Sequence, residues 1–229
     1  GLDPFIIVAE RSVALADGHN TSAPADFDPV MTEIGTSSPS PFTRNLRQEY
    51  NSDLRGLNGL KKFDQMRRSD GTVRSTLRLV KTPVLAARWF VEPYRKRDQE
   101  TVRKVDATAA ALVESVLFDE MSISWSQVLI EALLMCDFGY YMFEKVWENR
   151  IVDGKMRTVL KKLAPRHPMD VIEWYYDTNG GPAGVKMRGP TGMSQDDYII
   201  PISKLVVFTH DREGGDVEGI SILRSAYKH

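Results

Sequence analysis

Apolar side chains recur at helical spacing from about Tyr50 onward, which is where regular patterning begins in this chain. Asp70-Gly71 interrupts the pattern, so two successive helices are predicted, and Pro83 is expected to end or kink the second. Each helix places one apolar residue per turn on the same face. The predicted stripes are Leu54, Leu57, Leu60, Phe63 and Met66 in the first helix, and Val73, Leu77 and Val80 in the second.

The next segments predict one strand and two more helices. Trp89-Phe90-Val91 before Pro93 has the composition of a strand, with Trp89 and Val91 on one face. Asp98 is predicted to cap a third helix, and Ser124 with Gln127 forms a capping box for a fourth, which Gly139 ends. The third helix carries Val102, Val105, Ala109, Leu112, Val113, Val116 and Leu117, and the fourth carries Val128, Leu129, Ala132, Leu133 and Cys136.

Beyond Gly139 the pattern becomes that of strands, rich in aromatic and β-branched residues. Asp153-Gly154 and Asn179-Gly180-Gly181 supply tight turns, which join antiparallel neighbours. A last segment from Ile220 to His229 again shows helical spacing. The predicted strands are 140–147, 156–163, 171–176, 185–188, 198–201 and 205–208.

The stretch 1–43 lacks this periodicity and contains a Ser/Pro segment at 36–41, which predicts an extended arm or linker. Residues 44–229 are predicted to form one α+β domain, a helical block followed by a block of antiparallel strands.

Charge is unevenly distributed along the chain. Residues 44–104 carry 16 Lys/Arg and 7 Asp/Glu, a net of +9, whereas the remainder carries 14 and 24, a net of −10. Such asymmetry favours either solvated helix faces or contact with an oppositely charged partner. With one cysteine, Cys136, no internal disulfide is possible, and its place in an apolar stripe predicts a buried structural thiol in a reducing compartment.

The motifs that carry catalysis are missing from the sequence. Nucleophilic catalysis needs an activating base, and none of the four histidines lies in such a motif. The acidic loop with His210, Asp211, Glu213 and Asp216 has no recognised metal-ligand spacing, and no glycine-rich phosphate loop occurs. No apolar run is long enough to span a membrane. The sequence therefore predicts a protein that is not an enzyme, has no cofactor or metal and does not contact a membrane.

Nucleic-acid binding has better support, because several cationic clusters could neutralise phosphates without reading sequence. No base-reading motif is present. The candidate residues for contact with DNA or with another subunit are Lys61, Lys62, Arg67, Arg68, Arg95, Lys96 and Arg97. The four tryptophans, Trp89, Trp125, Trp147 and Trp174, are predicted to be core residues.

Three segments of the chain carry motifs whose order is informative. The first runs from Phe63-Asp64-Gln65-Met66 through Lys81-Thr82-Pro83-Val84 to Trp89-Phe90-Val91-Glu92-Pro93. The second is Leu129 to Trp147, with Asp137-Phe138-Gly139-Tyr140 at its centre. The third is Lys204–His210 followed by Gly219-Ile220-Ser221-Ile222-Leu223. In this order, the three segments resemble the phage portal protein family.

The resemblance implies the wing-type part of a structural subunit that forms a homo-oligomeric ring, typically of about twelve copies, at one capsid vertex. DNA would pass through the ring during packaging and ejection. Terminase, scaffold, major capsid and head-completion proteins would dock on it, after assembly in the host cytoplasm. It implies no catalytic residues. A stem region is expected to begin where this chain stops, at His229.

Three alternatives remain open from the sequence. The first is a sequence-independent DNA-binding accessory protein, and the second is a metal-dependent nuclease that uses the His210 region. The third is an unrelated α+β scaffold protein.

Overall fold

The computed structural model describes residues 49–95, 102–152 and 154–227, so the predicted arm at 1–43 and the predicted cap Asp98 lie outside the described residues. The helical block begins with α1 (Gly56–Ser69) and α2 (Gly71–Ala86). The Asp70 side chain accepts hydrogen bonds from the backbone N–H groups of Thr72 and Val73 at 2.7 and 3.1 Å, and so caps α2. The predicted break at Asp70-Gly71 is confirmed.

Three further helices complete this block. They are α3 (Lys104–Ser115), α4 (Trp125–Ala132) and α5 (Met135–Phe138), with a π-helical turn at Val116–Glu120. Ser124 Oγ accepts a hydrogen bond from the Gln127 N–H at 3.3 Å, as predicted for a helix cap. The Gln127 side chain does not complete the capping box, because it donates a hydrogen bond to the Glu131 carboxylate. Gly139 ends α5 with a φ of 91°.

The strand-rich block consists of two antiparallel three-stranded sheets, which confirms the α+β prediction. The first sheet has the order β2-β1-β6 and the second has the order β3-β4-β5. Val152 pairs with Lys155 at the end of the β1–β2 hairpin, which confirms the predicted hairpin between these strands. The strands are β1 (Tyr140–Val152), β2 (Lys155–Arg166), β3 (Val171–Tyr176), β4 (Pro182–Met187), β5 (Tyr198–Pro201) and β6 (Leu205–Thr209).

The first sheet separates two apolar clusters, because successive side chains of β1 point to opposite faces. Tyr140 and Met142 pack with the inner face of the β3-β4-β5 sheet. Tyr141 and Phe143 pack with α4 and with Leu163 of β2. The order of layers is therefore α4, the β2-β1-β6 sheet, and the β3-β4-β5 sheet. A third cluster joins α1 and α2 to Phe138 and Leu223.

Four predictions are corrected by the structure. Residues 88–95 form no strand, because Trp89 packs against the helices instead. Its ring lies edge-on to the Trp125 ring, with 5.9 Å between the ring centroids, and its Nε1 donates a hydrogen bond to the Val84 carbonyl oxygen. Helix α2 continues through Pro83 to Ala86, so Pro83 does not end the helix at that position. The last segment shows a short 3₁₀ turn, Ile222–Arg224, within the described residues. Of the four tryptophans Trp174 is buried, whereas Trp89 and Trp147 are 45% and 52% exposed.

The third helix departs from its prediction in both start and burial. It begins at Lys104, and Arg103 occupies its N-cap position. Its apolar stripe is only partly covered: Val105 is 67% exposed and Val113 45% exposed, and Val116 in the following turn is buried. Among the described residues, no single helix is long and apolar enough to span a membrane; 104–120 and 125–138 reach that length and composition only as a pair bent by 83°.

Candidate functional site

The predicted basic residues do not form one cluster. Lys61 and Lys62 are exposed on α1, and Arg95 is exposed in the coil after α2. Lys96 and Arg97 lie outside the described residues. The cations of α1 and α2 are therefore the described residues from which a contact surface can be built.

Arg67 and Arg68 are already paired within α1. Arg67 Nη2 lies 2.6 Å from Asp64 Oδ1, and Arg68 Nε lies 3.0 Å from the same oxygen. Burial alone would raise the pKa of Asp64, but hydrogen bonds from the two guanidinium groups outweigh it and hold the pKa below its ordinary value. Part of the positive charge of both arginines is thus neutralised by their own helix.

Asp137 lies at the junction of α2 and α5, and its side chain is only 2% exposed. Lys81 Nζ approaches its Oδ1 at 2.5 Å, and Arg67 Nη1 is 3.9 Å from its Oδ2. Burial raises the pKa of Asp137, while the Lys81 ammonium opposes that rise. The Arg67 guanidinium also lies over the Phe138 ring, 5.1 Å from its centroid. This buried pair ties α2 to the start of the sheet.

A groove runs between α2 and α4, with Asp137 at its base, and we call it the α2–α4 groove. Arg74 and Arg78 line it from α2. Two of its apolar lining residues reach solvent, since Leu85 is 41% exposed and Ile130 is 48% exposed. Among the described residues, neither arginine side chain has an ion-pair or hydrogen-bond partner.

Among the described residues, the two histidines make structural contacts and the cysteine is buried. His167 packs edge-on against Phe138 and Tyr141, its Nδ1 accepts a hydrogen bond from the Met169 N–H, and burial lowers its pKa. His210 Nδ1 is 2.7 Å from the Ile220 carbonyl oxygen. Cys136 is buried, as predicted, and burial raises its pKa.

The acidic loop at His210, which the nuclease alternative would use, can also be compared with the structure. In the part of the chain that the structure describes, no group of three or more His, Cys, Asp or Glu side chains is arranged to hold a metal ion. Asp216 Oδ1 instead accepts a hydrogen bond from the Glu218 N–H at 3.1 Å, a turn contact within the loop. The loop geometry therefore offers no support for metal-dependent chemistry at His210.

The cations that line the α2–α4 groove are not among the contact residues predicted from the sequence. Arg74, Arg78 and Lys81 were counted in the basic span but were not chosen as candidates, because they do not stand beside another cation. Their i, i+4 and i, i+7 spacing in a predicted helix places Arg74, Arg78 and Lys81 on one face, which is a signal that could have found them. The Lys81–Asp137 contact joins residues far apart in sequence, so no local sequence pattern predicts it.

The comparison with known protein families covers most of the described domain. Residues 60–229 match the family described as the portal protein of Mu bacteriophage. The match begins in α1 and includes every strand of both sheets, as well as all three segments whose order suggested a portal protein. The chain therefore belongs to the Mu-type phage portal protein family.

Proposed function

We propose that this chain contributes the wing-type part of a ring of about twelve subunits at one vertex of a tailed-phage capsid. Its membership in the portal family makes it a structural component of the phage capsid that acts in an oligomeric ring. In this proposal the ring is the conduit for DNA during packaging and ejection. It is also the platform on which terminase, scaffold, major capsid and head-completion proteins dock.

The family match over residues 60–229 carries the proposal. The fold is compatible with it, because a rigid two-sheet core that presents helices on one side suits a part that supplies bulk and lateral contacts. We propose further that residues 44–229 act as this wing-like domain and that residues 1–43 form an arm, with assembly in the host cytoplasm.

The exposed cations would meet either DNA or an acidic neighbouring surface. Lys61, Lys62 and Arg95 are exposed, and Lys96 and Arg97 follow directly in sequence. Charge reversal of Arg95, Lys96 and Arg97 tests both versions. We expect weaker assembly or a smaller salt dependence of DNA affinity. If neither changes, these three residues have no such role.

A nonsense codon in the gene tests the function in the phage itself. We expect lysates to contain no DNA-filled heads by electron microscopy and density centrifugation, and a plasmid copy of the gene to restore them. DNA-filled heads at normal yield without the protein would contradict a portal role.

A DNA-binding accessory protein is the second candidate. The observation that favours it is the charge of the two first helices: residues 56–86 carry seven Lys/Arg and two Asp/Glu. Its signature would be strongly salt-dependent DNA affinity in a protein that stays monomeric or dimeric, measured by fluorescence anisotropy at several salt concentrations together with native mass.

A further inference from the structure

The α2–α4 groove combines positive charge with exposed apolar side chains. Arg74 and Arg78 are exposed and lack a partner among the described residues, while Leu85 and Ile130 are 41% and 48% exposed. The carboxylate at its base is already matched, because Asp137 pairs with Lys81 at 2.5 Å. An occupant of the groove must therefore bring both carboxylates and apolar side chains.

This chemistry favours a protein over DNA. A DNA backbone offers phosphates to the arginines but no apolar group that would cover Leu85 and Ile130. A protein surface with carboxylates beside aliphatic side chains satisfies both requirements, as is typical of interfaces with an apolar core and a polar rim.

The chain itself carries such a surface on its opposite side. Residues 170–199, which include β3, β4 and β5, hold five Asp/Glu and two Lys/Arg. On the outer face of this sheet, Glu173 and Ile199 flank Lys186, because both residues pair with Lys186 across the strands. Glu173 is exposed and Ile199 is 61% exposed. We call this the outer β3–β5 face.

The two surfaces lie on opposite sides of the layered core. The β2-β1-β6 sheet packs α4 through Tyr141 and Phe143 on one side and the inner β3-β4-β5 residues through Tyr140 and Met142 on the other. Two different and complementary patches on opposite sides of one subunit make a heterologous, head-to-tail contact, the type that closes into a ring. A self-complementary patch would give a dimer instead.

We propose that the α2–α4 groove of one subunit binds the outer β3–β5 face of the next subunit, with Arg74 and Arg78 facing Glu173 and Ile130 packed against Ile199. This inference rests on the proposed function, since it assigns the lateral contact of the portal ring.

Two variants of the complete gene product, each with one surface altered, test the contact. The groove variant is Arg74→Glu with Arg78→Glu, and the face variant is Glu173→Gln with Ile199→Ser. The matched control is Lys104→Glu with Lys155→Glu, which makes the same charge change at two exposed positions outside both surfaces. Assembly is followed by sedimentation velocity, native mass and electron microscopy, and folding by circular dichroism.

We expect the control to form rings like the wild type, and each surface variant to need about a hundredfold higher concentration to assemble. An equimolar mixture of the two variants retains one intact interface per pair, so it should yield heterodimers and no rings. If the groove variant does not fold, Arg74→Gln with Arg78→Gln removes both charges with less perturbation and takes its place.

Three outcomes would overturn the inference. The first is a folded groove variant that forms rings at wild-type concentration. The second is a mixture of the two variants that gives no heterodimer. The third is a groove variant with intact rings but weaker, less salt-dependent DNA binding, which would assign the groove to DNA. A wild-type protein that forms no rings would instead refute the proposed function, and the inference with it.

Discussion

Strand β1 and helix α3 are both rich in apolar residues, but the fold buries the strand and leaves much of the helix exposed. Met142 and Phe143 of β1 are 0% and 1% exposed, whereas Val105 and Val113 of α3 are 67% and 45% exposed. The strand is covered because its two faces have separate partners, a sheet on one side and α4 on the other. The helix has no buried residue within its bounds.

The difference shows that periodicity predicts the type of an element but not what covers it. Most helical stability comes from packing of the apolar face, and isolated helices of this length are marginal in water. The buried strand β1 therefore contributes more to the stability of the domain than α3 does, and α3 presents apolar side chains at the surface.

The largest expected effect is in the sheet core. Phe143→Ala should lower the free energy of unfolding by about 3–5 kcal/mol, because it removes a fully buried ring between α4 and β2. Val105→Ala on α3 should change it by less than about 0.5 kcal/mol. Urea denaturation measures both. Equal losses of unfolding free energy in the two variants would contradict the difference in burial between β1 and α3.

The buried ion pair that joins the two regions comes next. Asp137→Ala leaves the Lys81 ammonium buried without its partner, which should cost about 3–5 kcal/mol. Asp64→Ala removes a more exposed partner of arginines on α1 and should cost about 0.5 kcal/mol. A similar small loss for both variants in urea denaturation would show that Asp137 does not link α2 to the sheet.

The Asp137 carboxyl group should also make the free energy of unfolding depend on pH. Burial raises the pKa of Asp137 above its ordinary value of 3.8, so folding favours the protonated form. Its contribution to stability is therefore greatest below 3.8 and is lost as pH rises through the raised folded pKa. The difference in unfolding free energy between wild type and Asp137→Asn should fall over that window. A difference that rises with pH would contradict the raised pKa.

A smaller effect is expected where the helical block meets the sheet. Gly139 has a φ of 91°, and a Cβ there would lie 2.7 Å from the Glu218 carbonyl oxygen. Gly139→Ala should cost about 1–3 kcal/mol, measured by thermal or urea denaturation. Gly154→Ala, also at positive φ but with open space around it, is the control for backbone strain alone. If Gly139→Ala lowers the free energy of unfolding no more than Gly154→Ala does, the contact with the Glu218 carbonyl oxygen is unimportant.

The smallest effect is the cap of α4. Ser124→Ala removes the hydrogen bond to the Gln127 N–H and should cost about 1 kcal/mol. Ser126→Ala within the same helix keeps the cap and serves as the matched substitution. Loss of stability only in the Ser126 variant would place the start of α4 elsewhere.

Local signals made much of the fold predictable. Asp70, Ser124 and Gly139 act through hydrogen bonds or backbone angles within a few residues, so the sequence shows them directly. The hairpin turn at Asp153-Gly154 is equally local. The pairing of Arg67 and Arg68 with Asp64 could also have been read from their i+3 and i+4 spacing.

Long-range packing set the limits of prediction. Trp89 and Val91 have strand composition, but no described strand pairs with them and Trp89 packs on Trp125 instead. The Lys81–Asp137 pair and the α2–α4 groove exist only once α2, α4 and α5 are assembled. The candidate site was therefore only partly predictable: its charge was visible in the sequence, while its location was not.

Electron microscopy combined with native mass of the complete gene product tests the central claim most directly. The account predicts closed rings of about twelve subunits with a central hole, as expected when a heterologous contact repeats around an axis. Monomers or dimers that persist at high protein concentration would contradict it.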